Sequence, residues 1–121
     1  MRFTGFVIAI SPTLVAESSD LLRAAGVNDP ARVLAPLLSA ALDNALRSGD
    51  LALTGPVARG DAGTVAAHLA ALAQTSPEAA ATYRALARAT AARALDAGLL
   101  SSTAAQSLLG VINDESAGWS A

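Results

Sequence analysis

Apolar side chains recur every three or four residues through most of this chain, which is the spacing of one face of an α-helix. The first such stripe runs through Phe3, Val7, Ile10 and Leu14. Alanine and leucine dominate, and both residues favour helices over sheets. The pattern predicts an all-α fold of about five helices. Their expected bounds are residues 3–25, 30–48, 62–74 and 77–97, followed by a shorter helix through Leu108, Leu109 and Ile112.

Capping signals precede four of the predicted helices. Asn28 or Asp29 can cap the second helix, because Pro30 then occupies its first position. The candidate caps of the later helices are Asp61, then Thr75 or Ser76, then Ser101 or Ser102.

Glycines are expected to end three of the helices, at Gly26, Gly49 and Gly98. Pro12 should kink the first helix or delay its start, because its ring removes one hydrogen bond and crowds the preceding turn. Residues 113–121 have the composition of a flexible tail, with Trp119 either docked on the body or exposed.

The second helix is apolar over more than half of its circumference. Leu34, Leu38 and Leu42 face one way, and Leu37 and Leu46 widen that band. The opposite face carries Arg32, Ser39, Asp43 and Arg47, the last two spaced for an i,i+4 ion pair. A single surface helix needs a narrower apolar face, and the mean hydropathy of the chain is +0.45. We therefore expect a homodimer.

Composition limits the chemistry that the chain can perform. Its 121 residues suit one domain with a single core. A net charge of −2 provides no electrostatic attraction for nucleic acid. All basic residues are arginine, so a Schiff-base lysine and a P-loop lysine are both excluded. The absence of cysteine excludes disulfides, thiol catalysis and zinc–thiolate sites.

The N-terminal residues have the outline of a signal peptide, with one arginine, an apolar stretch and then small residues. The basic region is minimal, however, and Pro12 interrupts the apolar part. We expect a cytoplasmic protein, with export by cleavage after Ser18 as the alternative. The interrupted run predicts no transmembrane helix and no membrane partner.

The most distinctive segment is the loop T-G-P-V-A-R-G-D, residues 54–61, which we call the signature loop. Thr54 offers a hydroxyl, and Gly55 and Gly60 allow the backbone to approach a ligand closely. Arg59 suits a carboxylate or phosphate, because a guanidinium can donate two parallel hydrogen bonds. Asp61 opens a helix whose free N–H groups suit an anion.

The same loop also fits a plain connector between helices. In that interpretation Gly55 and Pro56 form a turn, Arg59 pairs with Asp61, and Asp61 caps the next helix. Two residues outside the loop remain candidates as well. Asn44 offers an amide on the preceding helix, and His68, at the edge of an apolar stripe, is either an acid or base or a packing residue.

Motifs for other chemistry are missing from the sequence. It contains no G-x-G-x-x-G dinucleotide motif and no G-x-S-x-G nucleophile motif. A lone histidine with scattered carboxylates predicts no metal site. Catalytic residues therefore stay unassigned, and we expect this chain to bind no cofactor by itself.

The segment LSAALDNALRSGDLALTGPVARGDAGTVAAHLAAL, Leu38 to Leu72, resembles a family of NAD(P)-dependent reductases in which a helical domain follows a Rossmann-like domain. The segments Glu17 to Leu38 and Tyr83 to Leu95 are similar to the same family. The motif T-G-P-x-A-R-G-D is the specific part of this resemblance. The helical domain is distantly similar to the dimerising domains of pyrroline-5-carboxylate reductase and the 6-phosphogluconate dehydrogenase group, which implies a 6-phosphogluconate dehydrogenase C-terminal-like fold.

In such reductases the Rossmann-like domain holds NAD(P), while the helical domain closes the substrate pocket and forms the dimer. The resemblance therefore implies that the signature loop lies near the substrate. The residues it would place there are Thr54, Gly55, Pro56, Arg59, Gly60 and Asp61, with Asn44 and His68 on the flanking helices.

The chain departs from this family in two ways. Met1 falls inside what corresponds to the second domain, so we expect an isolated or truncated domain whose Rossmann domain is missing or separate. The family tends to read Ala-Ser-Asn in the first helix, where this chain has Ile10, Ser11 and Pro12. Both departures predict that the chain is inactive alone.

Overall fold

The computed structural model describes residues 2–115, and this part of the chain contains helices and no strand. The all-α prediction is therefore confirmed. The elements are α1 (Thr4–Ala24), α2 (Pro30–Ser48), a 3-10 turn (Gly49–Ala52), α3 (Gly55–Ala58), α4 (Ala62–Thr75), α5 (Pro77–Asp96) and α6 (Ser102–Ile112). The five long helices match the predicted ones closely, and the single turn α3 lies inside the signature loop. Most of the predicted tail, including Trp119, lies outside the described residues.

The local start signals correctly identify the helix caps of α4, α5 and α6. Ser76 accepts a hydrogen bond from the backbone N–H of Ala79 at 3.2 Å, and Ser101 accepts one from Ala104 at 3.1 Å. Asp61 caps α4. These caps form because a short polar side chain accepts from N–H groups that have no partner inside the helix.

The proline inside α1 does not interrupt the helix. α1 begins at Thr4 and continues through Pro12 to Ala24, so of the two expected effects of Pro12, a kink or a delayed start, the delayed start does not occur. A proline costs the helix one hydrogen bond, and α1 remains helical on both sides of it. By length and composition alone α1 could cross a membrane, a property that it shares with signal sequences and with the core helices of soluble proteins.

The chain divides into two compact units, residues 1–41 and 42–121. The first unit holds α1 and the beginning of α2. Pro30 and Leu34 are its buried residues within the described chain, and α1 buries none of its own. The ion pair between Asp43 and Arg47, 3.2 Å apart on α2, is present as predicted.

The core of the second unit is formed by α4, α5 and α6, with α3 packed beside α4 and α5. Its fully buried large side chains are Val65, Leu69, Leu108 and Ile112. α5 contributes alanines instead, namely Ala79, Ala80, Ala87, Ala91 and Ala94. The larger α5 side chains Leu86 and Leu95 are exposed. Small side chains on its buried face allow α5 to approach its neighbours closely.

α3 and α5 each end in a glycine turn, and the two turns have the same pattern of hydrogen bonds. After α3, the N–H of Asp61 donates to the Pro56 carbonyl at 2.8 Å. After α5, the N–H of Leu99 donates to the Ala94 carbonyl at 2.8 Å. Each turn has a glycine at positive φ, +75° at Gly60 and +78° at Gly98, which is a conformation that other residues adopt only at a cost.

Only one of these two glycines is also confined by neighbours. A Cβ built on Gly60 would lie 3.2 Å from the Ala104 Cβ and 3.3 Å from Leu100 Cδ2, whereas a Cβ on Gly98 meets nothing within 4 Å. Gly60 therefore serves both the backbone turn and the approach of the signature loop to the residues at the start of α6.

We predict that Gly60→Ala destabilises the protein more than its matched control Gly98→Ala. The control carries only the backbone cost of positive φ, about 1 kcal/mol. Gly60→Ala adds the crowding against Ala104 and Leu100, which brings its total to about 2 kcal/mol. Urea unfolding of both variants measures the difference. Equal losses would show that the close contact at Gly60 has no energetic consequence.

Candidate functional site

The signature loop is anchored in the core by its apolar residues. Thr54 is extended, with φ −143° and ψ 179°, and Gly55–Ala58 then form the turn α3. Val57 and Ala58 are buried in the second unit. The middle of the loop is therefore fixed by packing, which holds the polar residues at its two ends in defined places.

Those polar residues are accessible from solvent. Thr54 is exposed at the start of α3 and its side chain caps no helix. Arg59 is exposed at the end of α3. No carboxylate of residues 2–115 lies within ion-pair distance of Arg59, so the predicted Arg59–Asp61 pair is not formed. A guanidinium without an ion-pair partner is available to an anionic ligand.

Asp61 is already engaged by the first turn of α4. Its Oδ1 accepts the backbone N–H of Thr64 at 3.0 Å, and its Oδ2 accepts the Thr64 hydroxyl at 2.7 Å. The hydroxyl and the backbone N–H of Thr64 lower the pKa of the Asp61 carboxyl, and the nearby charges of Arg59 and His68 lower it less. Asp61 therefore caps the first turn of α4, where the sequence also predicted that free N–H groups could bind an anion.

His68 lies on α4, near enough for its charge to act on Asp61. Its Nδ1 is 3.4 Å from the Tyr83 hydroxyl oxygen, and the two rings meet edge to face with centroids 6.1 Å apart. Burial raises the pKa of the Tyr83 phenol. The histidine itself is exposed, so it packs along its ring and keeps a solvent-facing side.

The candidate residues differ in how they are connected to the signature loop. Thr54 to Asp61 form one continuous loop, and His68 extends from it along α4. Asn44 is exposed on α2 and, within the described chain, forms no hydrogen bond to the loop. The sequence signal for Asn44 was only its proximity along the chain, and such proximity does not ensure contact.

Residues 2–115 contain neither a cluster of metal ligands nor a strand that could begin a dinucleotide-binding fold. Across residues 2–115, no three His, Cys, Asp or Glu side chains are grouped to hold a metal ion. A dinucleotide fold needs a strand followed by a glycine-rich turn. The sequence has no such motif, and residues 2–115 form no strand.

One buried charged residue escaped the sequence analysis. Arg84 of α5 is only 8% exposed, and its Nη1 donates to the carbonyl of Ile112 at the end of α6. One turn later, Arg88 donates to the Asn113 side chain at 3.1 Å. The available signal was spacing, because Arg84 falls on the same helical stripe as Ala80, Ala87 and Ala91.

We predict that Asp61 makes stability depend on pH. Its pKa is lowered on folding from an ordinary value of 3.8, so its ionised form stabilises the protein above that pH. This contribution declines as the pH falls through the lowered pKa. Asp61→Asn keeps a capping residue but should lose this acid-side dependence. Thr64→Ala removes the largest cause of the shift and should reduce it.

Thermal unfolding midpoints between pH 2 and 7, a range of about five units that spans carboxyl titration, measure this effect. If the wild-type and Asp61→Asn profiles run parallel through the acid range, the Thr64 hydrogen bonds do not favour the ionised carboxylate.

Comparison with protein families gives a match to a domain of unknown function, DUF2520, over residues 5–90. The matched range is more than two thirds of the chain and includes the whole signature loop. Comparisons with curated proteins and with solved structures find no match. Because the family match spans the helices from α1 through most of α5, this chain belongs to the DUF2520 family.

Proposed function

We propose that this chain is the substrate-side and dimerisation domain of an NAD(P)-dependent reductase, inactive without a separate dinucleotide-binding domain. The observation that carries the proposal is the extent of apolar surface on α1 and α2. Among the large apolar side chains left in water are Phe6, 62% exposed, and Leu46, 78% exposed. The reductase assignment rests on the similarity of the signature loop to that class of enzymes.

Self-association follows from the cost of leaving this surface in water. Each unit leaves large apolar side chains that a partner could cover, namely Phe6, Val7 and Ile8 in the first unit and Leu42 and Leu46 in the second. Burial of apolar surface contributes about 25 cal/mol per Å², and exposed apolar patches of this kind mark interaction surfaces. A second copy of the chain offers the same surface, which is the arrangement of a two-fold symmetric dimer.

The signature loop offers recognition groups on a fixed base. The Thr54 hydroxyl can donate to a substrate oxygen, and the Arg59 guanidinium can hold a carboxylate or a phosphate. Burial of Val57 and Ala58 limits the movement of both groups. In this proposal Asp61 positions the loop through its bonds to Thr64, and Gly55, Pro56 and Gly60 shape the backbone.

In this proposal the dinucleotide is bound by another domain, which accounts for the lack of a G-x-G-x-x-G motif in this sequence. A reductase places its dinucleotide on a Rossmann-like domain, and these helices then close the pocket over the substrate. His68 lies along α4 from the loop and is available to contact the same substrate.

A second candidate is a purely structural homodimerisation module in which the signature loop is only a connector. The full engagement of Asp61 by Thr64 favours it, because the start of α4 then has no need of a ligand. Both candidates require self-association, and they differ in whether Thr54 and Arg59 touch a substrate.

We predict that the protein sediments as a dimer at micromolar concentration. Leu46→Gln should weaken the dimer about tenfold or more, because the dimer would lose the burial of this leucine, and burying a leucine side chain contributes about 2 kcal/mol. The matched control Ser39→Gln, on the polar side of α2, should leave association unchanged. A wild-type protein that remains monomeric, in buffer or while bound to lipid vesicles, would refute the dimer.

We predict that Thr54 and Arg59 matter for catalysis in a DUF2520 protein that carries its own dinucleotide domain. Alanine at the position matching Arg59 should raise KM about tenfold or more, since a bidentate ion pair is lost. Alanine at the position matching Thr54 should have a smaller effect. Alanine at the position matching Arg32, on the polar face of α2, is the control.

Steady-state kinetics of these variants separates the two candidates. Unchanged turnover and KM in both loop variants would establish the connector. Titration of NADPH into the present chain tests the domain assignment independently, and tight binding there would overturn it.

A further inference from the structure

An open groove of about 540 Å³ lies within the second unit, and none of its lining residues belongs to the signature loop. It is lined by Ala73, Pro77, Ala80, Ala81, Arg84, Arg88 and Glu115. Its volume falls in the range of small-ligand pockets. Alanine and proline form an apolar surface, and the two arginines from successive turns of α5 bring positive charge to it.

Arg84 is a buried cation whose hydrogen-bonding capacity is mostly unused. A guanidinium has five N–H donors, and within residues 2–115 one nitrogen of Arg84, Nη1, has an acceptor, the Ile112 carbonyl. No buried side-chain nitrogen of the described chain lacks a partner. The other nitrogens of Arg84 therefore remain accessible, and the groove that this residue lines is where they can be reached.

Arg88 stands one turn further along α5 and is held in place on one side. Its Nη1 donates to the Asn113 side chain, while the rest of its exposed guanidinium is free to turn to the groove. The contacts of both arginines with the end of α6 account for one donor each. The hydrogen bonds to Ile112 and Asn113 at the end of α6 fix the positions of the two guanidinium groups. Their other N–H donors are left for another acceptor.

We propose that this groove binds a short aliphatic monocarboxylate, with its carboxylate on Arg84 and Arg88 and its hydrocarbon part on Ala73, Pro77 and Ala80. A carboxylate matches the paired donors of a guanidinium. An apolar surface suits a hydrocarbon body and gives no hydrogen bonds to the remaining oxygens of a phosphate. Glu115 also lines the groove, and its carboxylate repels a doubly charged phosphate more strongly than a singly charged carboxylate.

The test is calorimetric titration of the full chain with 4-methylpentanoate. Saturable binding is expected, with affinity at least about tenfold above that of the neutral isostere 4-methylpentanol and of inorganic phosphate, because only the carboxylate satisfies both halves of the groove. Binding of phosphate as tight as that of the carboxylate, or no saturable binding of the carboxylate, would overturn the proposal.

Variants locate the binding in the groove without relying on the buried arginine. Arg88→Gln should weaken 4-methylpentanoate about tenfold, and Ala81→Leu, at an exposed lining position, should weaken it by filling space. The matched control Arg47→Gln, on α2, should bind like the wild type. Equal affinity in all three variants would place the ligand elsewhere and refute the site. Circular dichroism establishes that each variant is folded.

Discussion

The close approach of α5 to α4 and α6 is the constraint on which the second unit depends. The buried face of α5 is made of alanines, so the larger side chains of its neighbours, such as Leu69 and Leu108, fill the space between the helices. Tight packing of this kind leaves little room for change, because each added methylene must displace a neighbour. The same closeness brings Arg84 against the end of α6, where the Ile112 carbonyl accepts its hydrogen bond.

The signature loop is shaped by this packing as much as by its own sequence. Val57 and Ala58 are buried, and Gly60 has no space for a side chain beside Ala104. The glycine and apolar positions of T-G-P-x-A-R-G-D thus have a structural reason. Thr54 and Arg59 do not have one, since both are exposed and neither is needed for the turn. These two residues are where a substrate contact would have to act.

The first unit presents the opposite situation, with apolar side chains that nothing in the described chain covers. α1 exposes phenylalanine, valine and isoleucine around its N-terminal half and buries none of its residues. Such a surface gains free energy from any apolar partner, and a second copy is the partner that is always present.

Much of the secondary structure was determined by the sequence itself, because its causes are local. The caps Asp61, Ser76 and Ser101 and the stop at Gly98 each act within a few residues. The buried residues Val65 and Leu69 stand four positions apart on α4, which is the spacing of one helix face. Two local expectations differ from the structure. α1 begins at Thr4, ahead of Pro12, and the carboxylate of Asp61 accepts hydrogen bonds from Thr64 instead of pairing with Arg59.

Only the tertiary structure decided which residues meet across the chain. Arg84 donates to the last residue of α6, and Gly60 is confined by Ala104 of α6 and by Leu100 just before it. The groove beside α5 likewise brings together residues of α4 and α5 with Glu115, which follows α6. Periodicity places a residue on a helix face, but it does not say which helix covers that face. That choice is set by how side chains of different sizes fill a shared core, and it is a property of the folded chain.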